Sequence, residues 1–358
     1  MISTARRLET LDDELTVSSI DDLAGGDAAW DAFVGRASGS TFCHLAGWRG
    51  ILTDVLGAEC LYWVATAGKA DTEIEGVLPL VRVRSRLFGH YLVSLPFLNY
   101  GGPLGSTAAR QRLTQDAVSE ALHSRADLLE LRTRDARDLQ LPISSRKITV
   151  ILDLPPTRDD LWKGFSSKLR NQLRRPVKEG FVTRFGLEHR EPFYEVFART
   201  MRDLGTPVLP AALFERIAAV FPQQVVFGAV YRGSQPVAAG CGFVWGEEFE
   251  MTWAGARRET RAAGSNMLLY GAFMEEMIAR GVRTFNFGRC TPDSGTHAFK
   301  RQWGSRDVPL PWCQFARDGH VSTPSPKDPA FAWGPRVWRR LPLPLANLLG
   351  PRLVRYLP

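Results

Sequence analysis

Residues 285–304 read FNFGRCTPDSGTHAFKRQWG, where an apolar strand-like run ends at Gly288-Arg289 and a turn-rich stretch leads into Lys300 and Arg301. Four of these side chains are of types that do chemistry. Arg289 and Lys300 are charge-assisted donors suited to a phosphate or a developing oxyanion, and His297 or Asp293 can accept a proton. Three of them have a plainer alternative: an Arg289 that pairs a carboxylate at a strand end, a structural His297, and an Asp293 that only makes the TPDSG turn. Trp303 reads as core. No Ser-His-Asp or Cys-His arrangement has interpretable spacing, which argues against a covalent acyl-enzyme. No metal-ligand spacing occurs either.

A second group of cations lies in DDLWKGFSSKLRNQLRRPVKEGF. Residues 163–178 hold six basic side chains and no acidic one. Trp162, Phe165, Leu169, Leu173 and Val177 recur at helical intervals as one apolar stripe, leaving Lys168, Arg170, Asn171 and Arg174 on other faces to hold substrate phosphates. A merely solvated face is the alternative. Pro176 lacks an amide hydrogen and clashes one turn back, so the spacing predicts a kink or stop there. Two small-residue loops precede helices. NYGGPLG (99–105) offers Asn99, Tyr100, Gly101 and Gly102 to substrate, and RRETRAAGSN (257–266) offers Arg261, Gly264, Ser265 and Asn266 to a phosphate-bearing cofactor. Backbone amides at a helix N-terminus and the positive end of its dipole suit an anion, although a Gly-bearing turn is also plain geometry.

These groups need a scaffold, and 358 residues suffice for two domains. A net charge of +7 and a pI near 9.3 suit anionic partners. The five cysteines show no C-x-x-C spacing and read as free thiols of a reducing compartment. No secretory h-region opens the sequence and no run suits a bilayer span. Strand patterns at LYWVATA, EGVLPLVRVRS and LVSLPFLNYGG, a helix over 108–123, and strands LLELR and ITVILDL form one series. VVFGAVY, PVAAGCGFVWG, EFEMTWAGA, a helix over 264–280, RTFNFG and PLPWCQFA repeat it. Helical segments near 28–36 and 190–221 precede the two series. A tandem α/β duplication follows, with units at 1–155 and 156–320, a basic entry helix at 163–180, and a tail at 321–358.

That strand order, with R-A-A-G-S-N ahead of its main helix, resembles a GNAT acyltransferase unit. Two such units, S-K-L-R-N-Q-L-R-R opening the second, L-P-F-L-N-Y-G-G, and G-T-H-A-F-K after the penultimate strand resemble the FemAB-like transferases, in the branch associated with exopolysaccharide and PEP-CTERM (exosortase) systems of bacteria. The resemblance spans about residues 15–320. It departs from the family at Asn266, Pro176 and His297, and it lacks a long coiled-coil arm. The resemblance implies an α/β fold made of a tandem duplication of a GNAT-like N-acyltransferase unit, each a mixed sheet flanked by helices.

The activity it implies is N-acyl or aminoacyl transfer to an amine of a peptidoglycan-type, exopolysaccharide or other cell-envelope precursor. No cofactor is held permanently; the co-substrate is acyl-CoA or aminoacyl-tRNA, and the acceptor is a phosphate-bearing small molecule or lipid-linked glycan. Lys300 carries the strongest motif match. One alternative is an acyl-CoA-dependent sugar-amine N-acetyltransferase. Another, from a different class, is a basic nucleic-acid-binding or non-catalytic scaffold protein, against which the basic stretch has no interleaved aromatics. The expected location is the cytoplasm, at the inner face of the membrane if the tail docks there. Residues 331–358 hold five arginines, no acid, and Trp333, Trp338 and Tyr356 among Leu and Pro. They suit a membrane interface or an arm wrapping the second unit.

Overall fold

The computed structural model describes residues 15–68, 73–85, 89–319 and 333–356. The chain divides into two compact units. One is Met1–Ser145 with Leu310–Pro324 and Arg355–Pro358; the other is Arg146–Pro309 with Ser325–Val354.

The first unit opens with β1 (Leu15–Ser19), α1 (Gly26–Arg36) and α2 (Gly47–Leu56). An antiparallel run of β2 (Glu59–Ala67), β3 (Glu73–Ser85) and β4 (Gly89–Val93) follows, with short β5 (Leu104–Gly105) beside β3. The crossover helix α3 (Thr107–His123) begins where Ser106 accepts the Ala109 amide and returns the chain to β6 (Leu128–Leu131), parallel to β4. The strand Trp312–Ala316 pairs with β6, and β7 (Ile143–Ser144) closes that edge. Leu78, Leu80, Leu92, Leu113, Leu129 and Leu131 fill the core between sheet and α3.

The second unit starts with β8 (Ile148–Asp153), α4 (Arg158–Gly164), α5 (Ser167–Lys178) and β9 (Phe181–Phe185). Helices α6 (Arg190–Leu204) and α7 (Ala211–Val220) lead into the antiparallel strands β10 (Val225–Arg232), β11 (Gln235–Trp245) and β12 (Glu248–Ala256). A one-turn helix α8 (Arg258–Arg261) and the long α9 (Ser265–Ala279) return the chain to β13 (Thr284–Cys290), parallel to β12. After α10 (Gly295–Arg301) and β14 (Arg306–Pro309) the sheet order is β14-β8-β13-β12-β11-β10-β9. Helices α11 (Trp333–Trp338) and α12 (Leu343–Val354) end the unit.

Register places the helices on opposite faces. Gly228, Gly240 and Ala254 are cross-strand partners and therefore share a face. A Cβ built at either glycine would meet Phe273 of α9 at 2.8 or 3.1 Å. The next residue, Gly255, faces Thr200 of α6 on the other side. Phe249, Phe273, Phe285, Phe287 and Trp303 fill the α9 side, while Phe193, Phe214, Phe227 and Trp253 interlock on the α6–α7 side.

The two units repeat one plan: an antiparallel run, a crossover helix, and a parallel fifth strand. Two strand assignments differ from the sequence reading. ITVILDL was read as closing the first series and PLPWCQFA as closing the second, whereas residues 148–153 lie in the second sheet and 312–316 in the first. Period and β-branching identify a strand without saying which parallel strand it flanks. LVSLPFLNYGG is also mostly not strand. β4 stops at Val93, and Pro96 sits between Leu95 and Phe97, both at positive φ (51° and 71°), so a ladder cannot continue there.

Pro176 does not make the stop expected. Helix α5 runs on to Lys178, because a proline in the last turn forfeits one hydrogen bond only. Its ring is buried in the place expected of Val177, which is 57% exposed. Trp303 is core at 3% exposure. All five cysteines are free thiols, and four of them are buried.

Candidate active site

The second unit's sheet opens at its centre. β12 and β13 pair at only three positions, Glu248–Thr284, Phe249–Phe285 and Glu250–Asn286. Beyond them β12 continues to Ala256 against β11, and β13 to Cys290 against β8. Both strands are irregular where they part. On β12, Cys241 faces Trp253 and Gly242 faces Met251, so Thr252 is the extra residue of a bulge. On β13 the register with β8 slips between Asn286 and Arg289, with Gly288 at φ +71°. A bulge takes one residue's backbone out of the ladder and re-aims its neighbours. The result is a gap lined by main-chain polar groups.

The loop leading to α9 borders that gap. Arg257 is 5% exposed and paired with Glu195, and Arg258 donates to the Asp203 carbonyl at 2.7 Å. These two arginines tie the loop to α6. Arg261 is exposed, with only its Nε on the Ala256 carbonyl at 3.2 Å. Gly264 precedes α9 at φ +90° without a side-chain cap, which leaves the first-turn amides of a 15-residue helix to an external acceptor. Ser265 is fully buried, its hydroxyl 3.0 Å from Thr260 Oγ1, and Asn266 is half-buried. A Cβ at Gly264 would lie 3.2 Å from the Gln172 carbonyl and 3.4 Å from Pro176 Cδ, so α5 rests on the start of α9. Ser166 caps α5 by accepting the Leu169 amide. Lys168, Asn171 and Arg174 are exposed on its outer side, the Arg174 guanidinium 5.7 Å from the Trp162 ring. Arg170 instead turns back, donating to the Phe165 carbonyl at 2.5 Å.

The residues of 289–300 are largely spent on the protein itself. Lys300 is 3% exposed, and its Nζ donates to the Gly288 carbonyl at 2.6 Å and the Arg289 carbonyl at 2.9 Å. Burial pushes its pKa down to about 8, opposed by the charges of Cys290 and Glu250. The expected ligand-facing ammonium is thus turned inward, because two carbonyls freed by the β13 irregularity need a donor. His297 Nδ1 accepts the Asp293 amide at 3.0 Å, so its proton sits on Nε2, which faces Asp307 Oδ1 at 3.0 Å. Both ring nitrogens are therefore engaged within the protein. Asp293, at φ +59°, makes the turn. Arg289 is half-buried beside the gap.

Sequence reasoning missed the polar row on the face of β12 and β13 away from α9. Glu248 and Glu250 alternate with Phe249 and so share that face. Asn286, fully buried, donates to Glu248 at 2.9 Å and accepts from Thr149 at 2.5 Å and from the Gly288 amide at 2.9 Å. Glu250 is 2% exposed, at the last paired position before the strands part. The one signal in the sequence was a pair of glutamates, Glu248 and Glu250, in a mostly apolar strand, EFEMTWAGA.

In the first unit the 99–102 loop is closed rather than open to an anion. Asn99 and Tyr100 are 4% and 3% exposed. The Gly102 amide donates to the Arg132 carbonyl at 2.8 Å, and the Gly102 carbonyl accepts from His44 Nε2 at 3.1 Å. Arg132 reaches beneath the loop to the Leu95 and Leu98 carbonyls at 3.1 and 2.9 Å while pairing with buried Glu130 at 2.8 Å. His44 is held neutral, its pKa pushed down to about 4 by burial. The turn expected to bind substrate is a buried girdle, whose main-chain groups are taken up by Arg132, His44 and Trp312.

An antiparallel run, a crossover helix and a fifth strand parallel to the fourth define a GNAT-fold unit, present here in tandem. Comparison with known proteins agrees: residues 164–301 match the family model described as "Acetyltransferase (GNAT) domain". No curated protein sequence matches the chain. Among solved structures, a FemX aligns with a TM-score of 0.62 at 14% identity, covering 84% of this chain and 97% of that one. An L-PGS from Bacillus licheniformis aligns with a TM-score of 0.54 at 13% identity, covering 91% and 96%. A tandem GNAT protein from the clavulanic acid biosynthesis pathway aligns at 0.50 and 13%, covering 86% and 100%. At these identities the likeness is one of fold. The second unit therefore has the GNAT fold, and none of these similarities bears on the PEP-CTERM association.

Proposed function

We propose that this chain is an N-acyl or aminoacyl transferase whose chemistry takes place where β12 and β13 part. The observation that carries the reading is that gap, bounded by the Thr252 bulge and lying beside the uncapped start of α9. The acyl end of the donor enters the gap. Its phosphates lie on the first-turn amides of α9 and on Arg261. A neutral amine attacks the acyl carbonyl, a C–N bond forms, and the backbone at Thr252 stabilises the oxyanion. Glu250 accepts the proton the amine loses; the C–S bond of a thioester, or the C–O bond of an ester donor, then breaks, and that proton passes from Glu250 by way of water to the leaving group, so none is gained or lost overall. Lys300 is a positioning residue that holds the Gly288 and Arg289 carbonyls, and with them the wall bearing Arg289.

Lys168, Asn171 and Arg174 on α5 suit an acceptor that carries phosphate, such as a lipid-linked or nucleotide-linked precursor of the cell envelope. Relatives in fold named FemX and lysylphosphatidylglycerol synthetase support an aminoacyl donor, whereas the GNAT domain favours acyl-CoA. Calorimetric titration with acetyl-CoA separates the two. Micromolar binding that Arg261→Ala weakens about tenfold or more, the worth of one charge-assisted hydrogen bond, assigns the acyl-CoA donor and leaves a sugar amine as the acceptor to test. No heat from folded protein points to an aminoacyl-tRNA donor, tested next by transfer from charged tRNA. Inactivity with both donors, together with salt-sensitive binding of arbitrary nucleic acid, would sink the transferase reading.

A further inference from the structure

Helices α11 and α12 lie against α6 of the second unit, as an arm would. The Arg202 side chain donates to the Leu341 carbonyl at 3.1 Å, and Arg339 to the Leu204 carbonyl at 3.2 Å. Along α12 the inward stripe is Ala346, Gly350 and Val354, one residue every four. Gly350 is required there, since a Cβ would lie 2.9 Å from the Val208 amide nitrogen.

The outer side of the same helix is apolar as well. Leu345, Leu348, Leu349 and Leu353 are 40%, 56%, 36% and 39% exposed. At 100° per residue they fall, with Arg352 among them, within an arc of about 140°. On α11, Val337 is 52% exposed. Around these apolar groups stand Arg336, Arg339 and Arg340, all exposed, and residues 331–358 include no carboxylate to balance them. Burying leucines while their neighbours stay cationic requires a partner that is apolar beneath and anionic at its surface.

We propose that α11 and α12 form a docking face for an anionic lipid bilayer. The leucines enter the acyl boundary and the arginines bind headgroup phosphates. A second copy of the face would set arginine against arginine, and a polyanion such as nucleic acid would leave the leucines in water. No described helix is long and apolar enough to cross a membrane, so the helix lies in the interface. This inference stands apart from the transferase reading.

Co-sedimentation of the full chain with vesicles tests it. The chain is expected to pellet with vesicles of three parts phosphatidylcholine to one part phosphatidylglycerol and to bind pure phosphatidylcholine at least about tenfold less, given roughly fivefold for each basic residue near a charged surface. Arg336→Gln/Arg340→Gln should weaken binding about 25-fold on the same scale. Leu348→Glu/Leu353→Glu should abolish it with an unchanged circular dichroism spectrum; should that variant misfold, the arginine variant decides. Equal binding by the arginine variant and wild type overturns the proposal, as does failure of wild type to pellet at low salt. A wild-type dimer that Leu348→Glu/Leu353→Glu makes monomeric, with no vesicle binding, also overturns it and assigns the face to a second copy.

Discussion

The ammonium nitrogen of Lys300 lies 2.6 Å from the Gly288 carbonyl oxygen, donating across the register slip of β13. One long side chain thus repairs the backbone where the parallel strands part. The repair carries a cost, since a 3% exposed ammonium is desolvated and its pKa falls to about 8. Below pH 8 folded and unfolded chains both hold this proton, and the full penalty is present. Between about 8 and 10.5 the folded chain releases the proton while the unfolded chain keeps it, so stability rises with pH. The rise is worth roughly 3 kcal/mol over the whole window. Urea unfolding of wild type and Lys300→Met at pH 7.5 and 10 should show the difference between the two proteins changing by about 2–3 kcal/mol. Parallel pH dependences would remove Lys300 as the titrating group.

Glu250 gives a kinetic prediction. Its carboxylate is buried at the last paired position of β12, and glutamine keeps its shape while removing its basicity. If it takes the amine proton, Glu250→Gln lowers kcat by about 10²–10⁴-fold with donor affinity unchanged within about twofold, and the acid limb of the pH–rate profile disappears. An unchanged kcat, or loss of donor binding in proportion, would mean that Glu250 only supports the strand.

The order of elements was readable in the sequence because it rests on period and turn chemistry: the strand patterns of β10 to β12, the helical pattern over 264–280, and small residues before each crossover helix. The direction of side chains was not. Lys300 sits beside Arg301 in a sequence that gives no sign that one is buried and the other exposed, since the decision depends on two carbonyls freed a dozen residues earlier. The same holds for Asn99 to Gly102, where the Gly102 amide donates to the Arg132 carbonyl and the Gly102 carbonyl accepts from His44. The strands 148–153 and 312–316 carry the apolar pattern either sheet accepts, so their exchange was not legible.

Gly264 couples the helix start to α5. At φ +90° any side chain is strained, and the Gln172 carbonyl stands 3.2 Å from where a Cβ would be. Gly281 is a control, with φ +81° and open space around it. Gly281→Ala should therefore cost about 1 kcal/mol, the backbone penalty alone. Gly264→Ala should cost about 1 kcal/mol more, as overpacking adds to it, and should weaken donor binding, which Gly281→Ala leaves alone. Equal losses of stability would show that α5 yields freely at this contact.

The Arg132–Glu130 pair sets up the last prediction. Both side chains are nearly inaccessible, 4% and 6% exposed, and each has a further partner. Gln314 donates to Glu130 at 2.7 Å, and the Trp312 ring lies 4.6 Å from the Arg132 guanidinium. Removing one member strands a buried charge, so Arg132→Met or Glu130→Gln alone should cost about 3–5 kcal/mol. The double variant loses both charges together and should cost less than the sum by at least about 1 kcal/mol. Arg132→Met also takes the donor from the Leu95 and Leu98 carbonyls, so amide exchange should quicken through 94–102 in that variant and stay slow in Glu130→Gln. Additive costs in the cycle, or equal exchange in both variants, would mean that the ion pair does not hold the loop. Apolar packing of Tyr100 and Leu98 would then be what keeps it closed.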